Sequence, residues 1–98
     1  MRVVVEETAI ADIDALAAWI AKDSPQSGRL VVEKILHTIA RLELFPKMGH
    51  EGRDEGTYER GVPGTPYIAV YEVREKPSAV LVIAVVHGAR DRREHSSH

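Results

Sequence analysis

The stretch AVLVIAVVHGARDRR, residues 79–93, decides the fold, because it opens with eight consecutive apolar residues and ends with a histidine and three arginines. Eight apolar residues are far fewer than the ~20 that a membrane helix needs, and their β-branched composition is typical of a buried strand. A strand that is apolar on both faces is usually covered on both, so we expect residues 79–87 to lie inside a sheet beneath helices. His87 and Arg90 then follow at its carboxyl end.

Two amphipathic helices precede this strand in the chain. Apolar residues recur every three or four positions over residues 9–22 and again from residue 25 to about residue 44, which is the period of one helical face. Thr8 is the expected cap of the first helix. Ser24 can cap the second, and Pro25 suits its first position because proline lacks the N–H that would be unpaired there. So short a connection predicts an antiparallel helical hairpin.

The remaining strands are short and bounded by turn residues. They are RVVVE (2–6), TYERGV (57–62) and YIAVYEV (67–73). Pro63 and Gly64 are a favoured turn pair between the last two, while the glycine-rich and charged segment 47–56 is typical of a surface loop. The order β-α-α-β-β-β therefore predicts an α+β fold, in which the helical hairpin packs on one face of a small, mostly antiparallel β-sheet of about four strands.

The length of 98 residues fits one domain, and we expect residues 1–94 to form it and residues 95–98 to be a flexible tail. The expected core consists of apolar side chains at the helical and strand periods. These are Val4, Ile13, Leu16, Ile20, Ile35, Ile39, Leu42, Ile68, Val70, Ile83 and Val85.

Composition excludes several classes of function. The chain has no cysteine, which rules out disulfides and thiolate metal sites, and its first apolar run is too short for a secretion signal. A cytoplasmic protein without membrane contact is expected. The pair His95 and His98 lacks a third ligand, and no glycine loop has the strand-to-helix context of a phosphate site, so neither a metal nor a cofactor is predicted. The net charge of −2 provides no general attraction to nucleic acid.

Four short motifs in this order resemble the RelE/ParE superfamily of bacterial type II toxins. They are F-P-x-M-G within LELFPKMG (42–49), G-T-x-E and V-P-G-T-P-Y within GTYERGVPGTPYIAVYEV (56–73), and H-G-A-R within VVHGARDR (85–92). Together with the strand and helical hairpin before them, they cover essentially the whole chain. The resemblance implies a small toxin whose partner is a cognate antitoxin encoded beside it.

Members of this superfamily differ in their targets. RelE-like members cleave messenger RNA, mostly in the ribosome, while ParE-like members poison DNA gyrase. The wording of V-P-G-T-P-Y and H-G-A-R is closer to the ParE-like, plasmid-stabilisation side, so the resemblance implies growth inhibition through DNA gyrase or another protein target. The alternatives are a ribosome-dependent mRNA endonuclease and, as a second alternative, an interaction module without toxicity.

An endonuclease of this kind would be metal-free, with a 2′-hydroxyl attacking the adjacent phosphate. Such a reaction needs proton-transfer groups and cations around one phosphate, and His87, Arg90 and Arg60 are the candidate catalytic residues. The candidate binding residues are Lys47, His50, Arg90, Arg92 and Arg93. Each of these three residues also has a structural interpretation. His87 can form a hydrogen bond at the end of its strand, Arg90 can form an ion pair, and Arg60 can lie on a solvated strand face. The acidic net charge and the lack of a C-terminal aromatic residue favour a protein target over RNA.

Overall fold

A computed structural model of the chain describes residues 1–89. Arg90, Arg92, Arg93 and the predicted tail 95–98 lie outside these residues. The elements are β1 (Arg2–Val5), α1 (Glu7–Ala21), α2 (Pro25–Arg41), β2 (His50–Glu51), β3 (Thr57–Gly61), β4 (Tyr67–Glu75) and β5 (Ser78–His87). The sheet order is β1-β5-β4-β3-β2. Within residues 1–89, β1 and β5 pair in parallel and the other neighbouring strands are antiparallel. The predicted α+β fold is confirmed, with one strand more than expected, because β2 forms inside the predicted loop.

The long apolar strand β5 lies inside the sheet, as predicted, with β1 on one side and β4 on the other. The expectation that both of its faces are covered is wrong, because the two helices share one core with the same sheet face. Val80, Val82 and Val85 point into that core and are buried. Leu81 and Val86 point to the opposite face and stay partly exposed.

The sequence analysis assigned several strand residues to the wrong face of the sheet. On β4, Tyr67, Ala69 and Tyr71 are buried against the helices, whereas Ile68 and Val70 lie on the outer face. Val4 of β1 also faces outward, since its register partner is Leu81, and Val3 and Val5 pack on the core instead. The physical reason is that both faces of these strands are apolar, so alternation alone does not say which face is buried.

A β-bulge in β5 explains the remaining error. Val70 pairs with Ala84 and Tyr71 pairs with Val82, which leaves Ile83 as an extra residue without a partner in the β4 register. Val82 and Val85 therefore both point inward although they are three positions apart, and Ile83 is not part of the buried core. The buried positions predicted correctly are Ile13, Leu16, Ile35, Ile39, Leu42 and Val85, while Ile20 is partly buried against them.

Side chains of α1 hydrogen-bond to the backbone of β5 beyond the point where β1 ends. The strand β1 has four residues and β5 has ten, and the last register pair joins Val5 to Val82. Beyond it, the hydroxyl of Thr8 donates to the carbonyl of Ile83 at 2.6 Å, and Asp12 Oδ2 accepts the N–H of Val85 at 3.0 Å. Thr8 is thus not the cap of α1, which begins at Glu7 after Glu6.

The helical hairpin and the β3–β4 turn form largely as predicted. Ser24 Oγ accepts the N–H of Ser27 at 3.1 Å, so Ser24 caps α2 with Pro25 in its first turn. The helix ends at Arg41, earlier than expected. In the turn, Gly64 has a φ of +78° and Thr65 N–H donates to the Val62 carbonyl at 3.1 Å. A positive φ there suits glycine, which is why this turn was visible in the sequence.

Candidate functional site

His87 ends β5 on the helix-facing side of the sheet, where it lines a cleft of about 300 Å³. Its ring packs edge-on against Tyr67, the opposite residue on β4, with centroids 5.6 Å apart and planes at 85°. Asp12 lies in the same cleft, where its carboxylate already accepts the Val85 N–H. The imidazole is therefore held at a cleft wall by an aromatic neighbour and a rigid strand.

Trp19 forms the outer wall of this cleft and was not singled out in the sequence. It is 61% exposed, although tryptophan is usually covered, and Lys22 Nζ lies 5.2 Å from the centre of its ring. An exposed ring of this size is typical of a contact surface. Its place in the sequence could have indicated this exposure. Trp19 lies three residues after Leu16 and next to Ile20, at the border of the apolar face of α1.

Arg60 lies on β3, also on the helix-facing side, but it lines a different groove of about 360 Å³ between α2 and β3. Lys34, His37 and Arg41 of α2 line the same groove. The structure thus gathers four basic side chains that the sequence keeps far apart. The sequence contained one indication of this cluster, since the spacing of Lys34, His37 and Arg41 places them on one face of α2.

The two inward-facing catalytic candidates do not share one cavity. Arg60 is opposite Ala69 and His87 is opposite Tyr67, so β4 lies between their strands. Two strand spacings amount to roughly 10 Å between their backbones. Among the described residues, Arg60 and His87 therefore line separate cavities on the same face of the sheet. Arg90 falls outside the described part of the chain.

The predicted loop residues lie apart from both of these positions. His50 pairs in register with Glu59 on the outer face of the sheet, and its Nε2 lies 3.9 Å from Glu59 Oε1. Glu59 is 4% exposed, and its Oε2 accepts the backbone N–H of Arg53 at 3.1 Å. Lys47 is exposed and lines a shallow cavity beside the end of the helical hairpin. His50 is thus on the opposite side of the sheet from His87.

A buried tyrosine on β4 holds the start of the loop 49–56 against the sheet. Tyr71 is fully buried, stacks on Tyr58 at 5.6 Å, and its hydroxyl accepts the N–H of Gly49 at 3.1 Å. Burial raises the pKa of Tyr71 above its ordinary 10.0, with the Gly49 N–H acting in the opposite direction. Tyr71 therefore stays neutral near pH 7 and ties the start of the loop 49–56 to β4.

Two further properties concern residues 1–89 only. No three acidic or histidine side chains gather closely enough there to hold a metal ion. None of the helices in this part of the chain has the length and apolarity that crossing a bilayer requires.

Several solved structures share this fold. The chromosomal ParDE toxin–antitoxin system from P. aeruginosa superimposes with a TM-score of 0.77 at 17% identity, over 89% of this chain and 95% of that one. The YoeB/ParE toxin from Agrobacterium tumefaciens superimposes with a TM-score of 0.63 at 20% identity, over 89% of this chain and 98% of that one. The RelBE2 toxin–antitoxin complex from Mycobacterium tuberculosis superimposes with a TM-score of 0.57 at 26% identity, over 88% of this chain and 95% of that one. The fold is that of RelE/ParE superfamily toxins.

A family model described as the ParE toxin of the type II toxin–antitoxin system, parDE, matches residues 3–92. The chain belongs to this ParE toxin family. It is also 30% identical over 79 residues to the protein named "Putative toxin Y4kP" from Sinorhizobium fredii, which covers 81% of this chain and 79% of that one. The family predicted from the four sequence motifs is thereby confirmed.

Proposed function

We propose that this chain is the toxin of a type II toxin–antitoxin pair in the cytoplasm, that it arrests growth by binding DNA gyrase, and that a cognate antitoxin neutralises it. Membership of the ParE toxin family supports the toxin role. The ParDE and RelBE2 structures hold toxins with their antitoxins, which supports a partner of the same kind here. ParE-like members of the superfamily act on gyrase, and the V-P-G-T-P-Y and H-G-A-R motifs of this chain resemble theirs more than those of RelE-like members.

The observation that carries the proposal is the separation of Arg60 from His87. Metal-free cleavage of RNA needs a base, an acid and cations within hydrogen-bond reach of one phosphate. Arg60 lines the groove beside α2, and His87 lines the cleft beside α1. With β4 between them, the two side chains start from backbones roughly 10 Å apart. A toxin that acts by contact needs no such convergence.

Charge supports a protein target as well. Proteins that grip a nucleic-acid backbone neutralise several phosphates with lysine and arginine, because these contacts dominate affinity. This chain has 13 lysines and arginines against 15 acidic residues, and the Arg60 groove contains three of those cations beside Glu33. Its outer sheet face carries partly exposed apolar residues such as Ile68, Val70 and Val86. Such a surface suits protein contacts better than RNA.

A supercoiling assay with purified gyrase tests the proposal directly. The wild-type toxin should inhibit gyrase, and the double variant Arg60→Ala with His87→Ala should retain measurable inhibition, since neither group performs chemistry under this proposal. The matched control is Arg29→Ala, an exposed arginine of α2 outside the Arg60 groove. Gyrase that remains fully active with excess folded toxin would rule the target out.

One observation favours the alternative, an mRNA endonuclease. Trp19 and His87 line the same cleft, and an exposed indole beside an imidazole is an arrangement that can stack a base next to a proton-transfer group. Under this alternative, His87→Ala should lower RNA cleavage by ~10²- to 10⁴-fold, and Trp19→Ala should weaken RNA binding. Cleavage of ribosome-bound transcripts by the wild type, lost in His87→Ala, would favour the endonuclease.

A further inference from the structure

The cleft between α1 and the end of β5 has aromatic side chains on both of its sides. Trp19 lines it from α1, and Tyr67 and His87 line it from the sheet. The edge-on contact between Tyr67 and His87, with ring centroids 5.6 Å apart, keeps these two rings in place. At about 300 Å³, this Trp19 cleft lies at the lower end of the size range of ligand sites, which suits a single side chain of a partner.

The Trp19 ring already attracts a cation. Lys22 Nζ lies 5.2 Å from the centre of the ring, and Lys22 is not among the residues that line the cleft. The face of an indole is negatively polarised, so it attracts ammonium and guanidinium groups, and arginine forms such pairs more often than lysine does. Because Trp19 is 61% exposed, its ring has free surface for a second cation.

Asp12 adds a negative charge to the same cleft. Its Oδ2 accepts the Val85 N–H at 3.0 Å, which holds the carboxylate against β5. An ionised carboxylate has about four acceptor sites, so this bond leaves capacity for a guanidinium, whose planar N–H groups match a carboxylate. Asp12 is the one carboxylate among the described residues that line the cleft, and no lysine or arginine is among them. The charge of the cleft therefore favours a cation.

We propose that the Trp19 cleft binds an arginine side chain presented by the protein that the toxin targets. The inference rests on the proposed function, because it takes that target to be a protein. The guanidinium stacks on Trp19 and donates to the Asp12 carboxylate, while Tyr67 and His87 pack against the alkyl stem. Arginine is favoured over lysine because a planar group can stack and form paired hydrogen bonds at once. A nucleotide is disfavoured, since Asp12 would repel its phosphate.

Fluorescence titration of the full chain tests this proposal, because Trp19 is the only tryptophan in the sequence and its emission reports on the cleft. The ligand is the acetylated and amidated tripeptide Gly-Arg-Gly. The control ligand contains citrulline in place of arginine, which keeps the shape of the side chain without its charge. The arginine peptide should change the emission in a saturable way, with a Kd lower than that of the citrulline peptide by roughly fivefold or more.

Asp12→Asn separates the charge from the fold, because the asparagine side-chain oxygen can still accept the Val85 N–H. It should weaken binding of the arginine peptide by roughly fivefold or more. Asp14→Asn is the matched control, since it removes the same charge from an exposed position of α1 outside the cleft, and it should leave the affinity unchanged. In the gyrase assay, inhibition should need several-fold more Asp12→Asn protein than Asp14→Asn protein.

Equal affinities for the arginine and citrulline peptides, or unchanged binding by folded Asp12→Asn, would overturn the proposal. So would adenosine monophosphate that binds more tightly than the arginine peptide, because the cleft would then be a nucleotide site. Peptide binding that appears only when Arg90, Arg92 and Arg93 are all replaced by alanine would also overturn it, and would assign the cleft to one of these arginines.

The titration separates this proposal from the gyrase target. It contains no gyrase, so a toxin that leaves gyrase fully active does not change its expected result. Normal gyrase inhibition by an Asp12→Asn protein that has lost peptide binding would overturn the role of the cleft at the target and leave gyrase as the target in place.

Discussion

Asp12 of α1 accepts the backbone N–H of Val85 on β5 at 3.0 Å, across 73 positions of the sequence. The bond lies on the β1 side of β5, beyond the end of β1, where a side chain replaces the backbone partner that a longer β1 would supply. It also fixes α1 against the strand that carries His87. One carboxylate thus links the fold to the geometry of the cleft.

Replacing Asp12 by alanine should lower the free energy of unfolding by about 1 to 2 kcal/mol, because the Val85 N–H is left without its acceptor in a partly buried place. Chemical denaturation at neutral pH measures the loss. Asp14→Ala is the control, since it removes the same charge from an exposed position of the same helix. An equal effect of both changes would show that charge, and not the hydrogen bond, matters.

Gly49→Ala should destabilise the protein by roughly 2 kcal/mol or more. An added Cβ would lie 2.5 Å from the Glu59 carbonyl oxygen and 2.8 Å from the Tyr71 hydroxyl, so the loop would have to move off the sheet. Gly61→Ala is the matched control in the same sheet, because a Cβ there meets nothing within 4 Å. Thermal unfolding of both variants compares them, and similar melting temperatures would contradict the close approach.

Tyr71 should make stability fall at alkaline pH. Its folded pKa is raised by burial above 10.0, so the unfolded chain loses the proton first and rising pH favours unfolding. This contribution is intact below pH ~10 and is lost as the pH rises toward the folded pKa. Tyr71→Phe should cost about 1 kcal/mol at pH 8, through the lost acceptor for Gly49 N–H, yet destabilise less steeply above pH 10. Parallel pH profiles of urea unfolding would contradict this.

The end of β5 should matter for toxicity through contact. Under the gyrase proposal, Arg90→Ala or truncation after Gly88 should reduce growth arrest at least as much as His87→Ala, because interface arginines often carry much of the binding energy. Induction of each variant in bacteria without the antitoxin gene measures the effect, with circular dichroism as the check on folding. Toxicity abolished by His87→Ala alone would point to catalysis instead.

The sequence predicted the elements of the fold because each has local causes. Ser24 and Pro25 mark the start of α2, and Gly64 marks the β3–β4 turn. Which face of each strand is buried was not predictable in the same way, because Ile68 and Tyr67 are both apolar enough to be buried. Only the bulky tyrosine rings and the bulge at Ile83 decide the question, and both depend on packing between distant strands.

The arrangement of the candidate site depends on the sheet order, which the sequence does not give. His87 was singled out because it ends the most apolar strand. Arg60 was singled out on the hairpin, and the structure places β4 between its strand and β5. Thr8 was interpreted as a helix cap. The bonds of Thr8 and Asp12 to β5 depend on β1 being much shorter than β5, which no local pattern gives.

The proposed mode of action is tested most directly by inducing the toxin without its antitoxin and measuring two quantities in the same culture. These are chromosomal DNA breakage, with the accompanying SOS response, and cleavage of transcripts at ribosome-bound codons. A contact inhibitor of gyrase predicts DNA breakage with intact transcripts, and the same breakage in cells that express His87→Ala. Cleaved transcripts with intact DNA would contradict the account.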